Sequence, residues 1–297
     1  MSHTPAEIVA QLPERFDKAR ESGDVLFFPS TISKHQAHGV EFEIRLCPAL
    51  QKKPSLPTPH FDANADERRA ILGKEGKKFD PFAPPYVPGL YLGDVKDEEE
   101  GVEYAVLIFM VFISGGDLSG ASQPHKHLQL IPIEDNGPPV EVLARRTVIE
   151  TLERPFSLQS LPYANHVRRF PAFLPTAPVD EIEPTLSRAF LSLLDLALST
   201  YRRDPAPSTS ATTMSTLSYN VILTLEHMHV IPRKAENYTL AETGDALSIN
   251  SMGFAGCMLV KSERELEAVI KEGVGEILRG VGCKSIHDQQ CEGACSL

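Results

Sequence analysis

The sequence predicts an α+β fold from three patterns. Residues 40–46 alternate apolar and charged side chains, as in a strand that buries one face. Residues 183–203 carry apolar side chains at helical spacing with a proline in the first turn, which predicts a long amphipathic helix. Residues 218–233 show the pattern of a β-hairpin with its turn near residues 225–226. We therefore expect an antiparallel sheet flanked by helices.

The remaining elements follow from shorter signals. Thr4 and Pro5 mark a helix start, and Ser262 with Glu265 forms a capping-box pattern for the last helix. Proline-rich stretches at 52–88 and 154–178 predict irregular connections, and a histidine in the second, His166, is expected to be exposed. Further elements are predicted as helices at 4–22 and 140–152 and as strands at 25–28, 104–113 and 125–133.

Composition limits the class of protein. The chain has 297 residues, enough for one large core or two modest domains, with 42% hydrophobic and 23% charged residues. A net charge of -11 argues against nucleic acid or an anionic membrane as a partner. No apolar run approaches the ~20 residues of a membrane helix, no signal peptide is visible, and five cysteines do not form a disulfide framework. We expect a cytoplasmic protein, with the nucleus as an alternative.

One segment carries the chemistry. Residues 119–124 form a loop rich in small side chains, and His125, His127 and Gln129 follow at every second position. In a strand these three side chains share one face. The small residues allow backbone N–H groups to approach an anion. This combination suggests phosphorus chemistry with a histidine nucleophile.

Two other interpretations of this segment remain open. A His-x-His pair can bind zinc, or it can be a hydrogen-bonded structural pair. The third side chain on the face is a neutral amide, whereas a metal site would need another histidine, cysteine or carboxylate. We prefer the nucleophile to the metal site and the metal site to a structural role, and we predict no metal ligands here.

The segment resembles the fungal diadenosine tetraphosphate phosphorylase (ATP adenylyltransferase) family, which belongs to the His-x-His-x-Gln branch of the histidine-triad superfamily. The Pro5-Ala6-Glu7-Ile8 start, the Ser218-Tyr219-Asn220 strand and residues 256–261 are also similar to that family. The resemblance implies a histidine-triad-like fold, a mostly antiparallel sheet flanked by helices in two pseudo-repeated halves. It divides the chain into 1–178 with the motif, 179–283, and a tail at 284–297 that we expect to be disordered.

The first half is shorter than the family pattern. Such proteins usually carry an additional strand with an Asn-Lys pair, a histidine-containing strand and a helix before the loop, and residues 103–119 leave no room for them. Ser114 stands where the family usually has a substrate-contacting asparagine, and Cys257 stands where it commonly has methionine. A nucleotide-binding protein without turnover is therefore one alternative function.

The resemblance implies phosphorolysis of diadenosine tetraphosphate to ADP and ATP, reversibly, through AMP bound to His127. His125 would orient the loop or hold the leaving phosphates, and Gln129 would donate a hydrogen bond to phosphate. Substrate contacts are expected from Lys53, Ser114, Gly120, Ala121, Ser122, Gln123, Gln129, Asn250, Ser251, Met252, Cys257 and Lys261.

The expected partners are dinucleoside polyphosphates, ATP, ADP and inorganic phosphate, without nucleic acid or membrane. No covalently bound cofactor is expected, and a divalent cation such as Mg²⁺ is left open. The nearest rival activity is that of a hexose-1-phosphate nucleotidylyltransferase, whose motif is more often His-Pro-His-Gly-Gln. A second His-x-His, at His227 and His229, lacks the loop and the glutamine, and we interpret it as part of a half that keeps the fold but not the chemistry.

Overall fold

The computed structural model describes residues 5–22, 29–52, 91–96, 103–107, 113–115, 118–119, 137–204 and 217–285. Its helices are α1 Pro5–Glu21, α2 Pro139–Arg146, α3 Val179–Arg203, α4 Ser251–Ala255, α5 Glu263–Glu272 and α6 Val274–Val281. Its strands are β1 Thr31–Ala37, β2 Val40–Leu46, β3 Tyr91–Lys96, β4 Glu103–Leu107, β5 Ile113–Gly115, β6 His166–Arg169, β7 Ser218–Leu223, β8 His227–Arg233, β9 Asn237–Thr239, β10 Ala246–Ser248 and β11 Cys257–Val260.

The chain divides into two compact units. The first comprises residues 1–29 and 49–111, and the second comprises residues 30–48 and 112–297. In the first unit, β3 and β4 form an antiparallel pair whose register shifts between Tyr91 and Gly93. The Arg15 guanidinium of α1 donates to the Tyr91 carbonyl at 2.5 Å, which ties the helix to this pair.

Two sheets organise the second unit. The larger has the strand order β5-β7-β8-β6, and all of its neighbouring strands are antiparallel. The other has the order β1-β2-β11, in which β11 runs parallel to β2. The predicted strand at 40–46 and the predicted hairpin at 218–233 are both confirmed.

The core of the second unit explains why these elements form. The apolar positions of β2 are Val40, Phe42, Ile44 and Leu46, and they are buried with apolar residues of α5 and α6. Helix α3 buries Ala189 and Leu193 against Val230 of β8. Each element thus places its apolar positions, recurring with the period of a strand or a helix, against its neighbours.

Three predictions about local structure are wrong. The predicted helix at 140–152 ends at Arg146, because Thr147 takes an extended conformation, and Val148 is 96% exposed. The predicted strand at 104–113 is not one strand, since β4 pairs with β3 whereas β5 pairs with β7. The predicted excursion at 154–178 contains β6, and its His166 is buried rather than exposed.

The other predicted elements have mixed outcomes. Helix α3 begins at Val179, slightly before the predicted start, and Ser262 caps α5 by accepting a hydrogen bond from the Glu265 N–H at 3.1 Å. Predictions for residues 25–28, the strand from residue 125 and the tail beyond residue 285 fall on residues outside the described ranges. The domain boundaries after residues 178 and 283 stay predictions. Within the described ranges, no helix combines the length and apolarity needed to cross a membrane.

Candidate functional site

The predicted site residues fall into two groups. One group lies outside the described residues and comprises Lys53, Gly120, Ala121, Ser122, Gln123, His125, His127 and Gln129. The other group is described and comprises Ser114, Asn250, Ser251, Met252, Cys257 and Lys261. The geometry of the site is therefore built from the second group and from the residues that adjoin the motif in sequence.

The β7–β8 hairpin holds the two residues that precede the motif loop. The Ser218 hydroxyl accepts a hydrogen bond from the Leu118 N–H at 3.1 Å. The carbonyl of Ser119, a fully buried residue, accepts from the Asn220 side-chain amide at 2.9 Å and from the Arg233 guanidinium at 3.3 Å. Gly120, the first residue of the predicted anion-binding loop, directly follows this anchored carbonyl.

Ser114 is brought to the same place by sheet pairing. It lies on β5 opposite Asn220 of β7. Asn220 in turn binds the Ser119 carbonyl through its side-chain amide. The predicted contact residue Ser114 and the start of the motif loop therefore share one neighbour, although the sequence marked Asn220 only as part of a strand similar to the family.

The Asn250 segment is the N-terminus of a short helix. The Asn250 side-chain oxygen accepts a hydrogen bond from the Met252 N–H at 3.0 Å and so caps α4. Ser251 is fully buried, and the preceding carbonyl, of Ile249, accepts from the Arg233 guanidinium at 2.9 Å. Arg233 thus contacts the residues that immediately precede both predicted substrate-binding segments.

Cys257 and Lys261 flank strand β11. Gly256 ends α4 with φ of +106°, and a Cβ at that position would lie 2.5 Å from the Pro139 Cβ, so the turn requires glycine. The Cys257 sulfur lies 3.9 Å from a Glu43 carboxylate oxygen. Burial, aided by the Glu43 charge, raises the pKa of the Cys257 thiol to about 11, so it stays protonated at neutral pH. This thiol can pack against a ligand, but it is not a nucleophile.

The second His-x-His belongs to a buried polar cluster that the sequence did not reveal. The Glu141 carboxylate of α2 is fully buried and accepts from the Thr224 hydroxyl at 3.0 Å. The same oxygen lies 2.7 Å from His227 Nδ1, and the other oxygen lies 3.5 Å from His229 Nε2. Arg169 Nε donates to His227 Nε2 at 2.9 Å, which leaves the hydrogen of that imidazole on Nδ1, facing Glu141.

Hydrogen bonding decides the charge of this cluster. Burial by itself would raise the pKa of Glu141, but the hydrogen bond from His227 and the nearby His229 ring outweigh it and lower that pKa to about 2. Burial lowers the pKa of His229, and the nearby carboxylate offsets this only in part. The cluster at neutral pH is therefore a carboxylate that accepts hydrogen bonds.

Glu141, Glu226 and His227 place ligand atoms close enough together to suggest a cation site. Arg145 already pairs with Glu226 at 2.7 Å, and Arg169 already donates to His227. The two guanidinium charges balance the two carboxylates, and a metal ion would have to displace these donors. We therefore assign the cluster a structural role and no metal.

Comparison with known proteins relates two parts of the chain to family models. A family model described as the Ap4A phosphorylase N-terminal domain matches residues 103–145, and one described as the ATP adenylyltransferase C-terminal domain matches residues 159–284. Together the two models match more than half of the chain. The chain belongs to the Ap4A phosphorylase family.

Individual relatives agree with this assignment. Diadenosine 5',5'''-P1,P4-tetraphosphate phosphorylase 2 of Saccharomyces cerevisiae is 30% identical over 170 residues, which make up 55% of this chain and 48% of the relative. The chain thus spans about half the length of the curated relative that it matches. The solved structure of yeast Ap4A phosphorylase Apa2 has a TM-score of 0.66 at 19% identity and covers 96% of this chain and 99% of its own.

The same yeast protein has also been solved with ligands. Its complex with Ap4A has a TM-score of 0.66 at 18% identity, covering 96% of this chain and 99% of that one. Its complex with AMP has a TM-score of 0.62 at 20% identity, covering 96% and 98%. At these identities the likeness shows the fold, and it confirms the predicted histidine-triad-like α+β class for this member of the Ap4A phosphorylase family.

Sequence reasoning also misjudged His166 in this Ap4A phosphorylase family member. Its Nε2 donates to the Thr200 hydroxyl at 2.9 Å, because that hydroxyl itself donates to the Leu196 carbonyl. His166 and Leu196 also line a cleft of about 710 Å³. Burial lowers the pKa of His166 to about 4, so the imidazole is neutral at pH 7. Position in a proline-rich stretch gives no signal of this burial.

Acidification is expected to destabilise the protein through His166. The unfolded chain binds a proton at this histidine near pH 6.5 but the folded chain only near pH 4, so stability falls as pH drops below 6.5. Between pH 7 and pH 5 this loss is about 2 kcal/mol. Urea unfolding at both pH values should show a flatter pH dependence for His166→Gln, which keeps a donor for Thr200 but does not titrate. Ser33→Ala, which changes a half-buried residue of β1 that does not titrate, should keep the wild-type pH dependence. An unchanged pH dependence for His166→Gln would contradict the prediction.

Proposed function

We propose that the protein cleaves diadenosine tetraphosphate with inorganic phosphate to give ADP and ATP, reversibly. One observation carries the proposal. The His125-Lys126-His127-Leu128-Gln129 motif lies within the residues that match the Ap4A phosphorylase N-terminal domain model. The yeast protein was solved in complex with Ap4A and with AMP, which are a substrate and a reaction fragment of such an activity.

The reaction proceeds in two displacements. A ring nitrogen of His127 attacks the α-phosphorus, so that an N–P bond forms while the P–O bond to the leaving ATP breaks. The other ring nitrogen donates a hydrogen bond that keeps the attacking nitrogen unprotonated. Inorganic phosphate then attacks the AMP-histidine, which yields ADP and frees the imidazole.

The remaining motif residues stabilise charge. Backbone N–H groups between Gly120 and Gln123, with the Ser122 hydroxyl, bind the equatorial phosphate oxygens as negative charge develops. Gln129 donates a hydrogen bond but cannot take a proton from water, so an anionic acceptor that needs no general base is favoured over hydrolysis. With a net charge of -11, the protein depends on these local donors to hold a polyphosphate.

The partners in this proposal are dinucleoside polyphosphates, ATP, ADP and phosphate, in the cytoplasm or the nucleus. His125 orients the loop or holds the leaving phosphates. Lys53, Ser114, Asn250, Ser251, Met252, Cys257 and Lys261 complete the substrate contacts. No covalently bound cofactor takes part, and a divalent cation such as Mg²⁺ would act by neutralising phosphate charge.

The test is a product analysis with labelled phosphate. The purified chain is incubated with diadenosine tetraphosphate and fully ¹⁸O-labelled phosphate, and the nucleotides are identified by mass spectrometry. The proposal expects label in ADP only, with ATP unlabelled and no repeated turnover without phosphate. Repeating the reaction with EDTA tests the cation. Turnover of a hexose 1-phosphate with a nucleotide in place of phosphorolysis would establish the rival transferase, and AMP binding without any turnover would establish a nucleotide-binding protein.

A further inference from the structure

Arg233 of β8 is a fully buried cation that is satisfied by carbonyl oxygens. It donates to the carbonyls of Ala235 at 2.7 Å and Ile249 at 2.9 Å, to the Ser119 carbonyl at 3.3 Å, and to the Asn220 side-chain oxygen. Its guanidinium carbon lies 4.9 Å from the centre of the Phe254 ring. Among the described residues, no carboxylate lies within ion-pair distance of it.

Burying such a charge is energetically costly. Its presence therefore indicates a role that a neutral side chain could not fill. Taking a guanidinium out of water costs several kcal/mol, and a carboxylate partner usually offsets this. Burial lowers the pKa of Arg233 to about 9, so the side chain remains charged at pH 7. The planar fork of donors that arginine provides can bind several carbonyls in fixed directions at once, which lysine cannot do.

The positions of these carbonyls in the chain indicate the role of Arg233. Ser119 directly precedes the predicted anion-binding loop, and Ile249 directly precedes the Asn250–Met252 segment. The two carbonyls are 130 residues apart in the sequence, yet one side chain binds both. No other contact among those described above joins these two segments through a single group.

Asn220 adds a second support on one side only. Its side-chain amide donates to the Ser119 carbonyl at 2.9 Å, and its side-chain oxygen accepts from Arg233. The Ile249 carbonyl accepts from Arg233. The two side chains therefore affect the two segments differently, which makes their roles separable by substitution.

We propose that Arg233 is a positioning residue that sets the spacing between the start of the motif loop and the Asn250–Met252 segment, so that one dinucleoside polyphosphate can contact both. This inference rests on the proposed function for its substrate. The geometric part, that Arg233 orders both segments, does not depend on turnover. Misplacement of such segments by about 1 Å can cost about 100-fold in rate.

The experiment compares Arg233→Lys with Arg169→Lys. Arg169 is a matched control because it lies on the same sheet, donates to His227 and holds the carbonyls of Ala144 and Thr147. Amide hydrogen exchange is measured by mass spectrometry on peptides covering 119–129 and 249–253, with AMP affinity and steady-state kinetics measured in parallel. In Arg233→Lys we expect faster exchange in both peptides, about 10-fold weaker AMP binding, and a fall in kcat beyond what its change in melting temperature explains. Arg169→Lys should show none of these three effects.

A second variant, Asn220→Leu, keeps the test decisive if Arg233→Lys fails to fold. It should speed exchange at 119–129 more than at 249–253, because the Ser119 carbonyl loses its Asn220 donor whereas Arg233 keeps its bond to the Ile249 carbonyl. The proposal would be overturned if Arg233→Lys and Arg169→Lys showed equal exchange rates in both peptides. It would also be overturned if the loss of activity in each variant simply followed its loss of melting temperature. If the wild-type chain has no phosphorolysis, the proposed function fails, whereas the exchange and AMP-binding results still decide the role of Arg233.

Discussion

The His127→Ala variant is expected to lose phosphorolysis by ~10⁴-fold or more and to acquire no label from diadenosine tetraphosphate that carries ³²P in its α-phosphates. The physical reason is that alanine offers no lone pair to attack the α-phosphorus in line with the leaving group. A residue elsewhere cannot substitute, since the attack needs a nucleophile held within near-contact distance of phosphorus. Wild-type protein without phosphate should accumulate the labelled AMP.

The chemistry of the label provides a further check. An AMP-histidine is a phosphoramidate, so the label should survive alkali and leave in acid, whereas a phosphate ester would survive acid. His35→Ala, at a half-buried position on β1, is the matched control and should keep both label and turnover. Persistent labelled AMP on the His127→Ala protein would show that another residue is the nucleophile.

The Glu141→Ala variant is expected to lose about 3–5 kcal/mol of unfolding free energy at pH 7. The carboxylate is the buried acceptor for His227 Nδ1 and for the Thr224 hydroxyl. Alanine would leave His227 Nδ1 unpaired without water and would leave the Thr224 hydroxyl only the His227 carbonyl, at 3.2 Å. It also removes the charge that faces His229 and leaves a cavity beneath α2. Urea unfolding followed by circular dichroism measures the loss.

Glu226→Ala is the control for this prediction. Glu226 belongs to the same group of ligand atoms, but its side chain is 49% exposed and pairs with Arg145 near the surface. Its loss should cost about 1 kcal/mol or less. Similar losses for both variants, each restored by added zinc, would instead show that the cluster binds a metal.

Local sequence patterns correctly predicted the elements that are stabilised by interactions between residues close together in the sequence. The alternation at residues 40–46 produced β2 with the predicted bounds, and the pattern at 218–233 produced the β7–β8 hairpin. The Ser262 cap of α5 was predicted because its hydrogen bond spans only three residues. Local signals failed where a helix end, at Arg146, or a strand, β6, depends on neighbours that are distant in sequence.

The sequence by itself determined the family, the fold class and the candidate nucleophile His127, because the motif spacing and the apolar periodicities are written in consecutive residues. Only the tertiary structure brought Glu141 to His227, 86 positions away, and Arg233 to Ser119, 114 positions away. A buried carboxylate or guanidinium looks like any surface charge in a sequence. Its role depends on which donors and carbonyls the fold places around it once water is excluded.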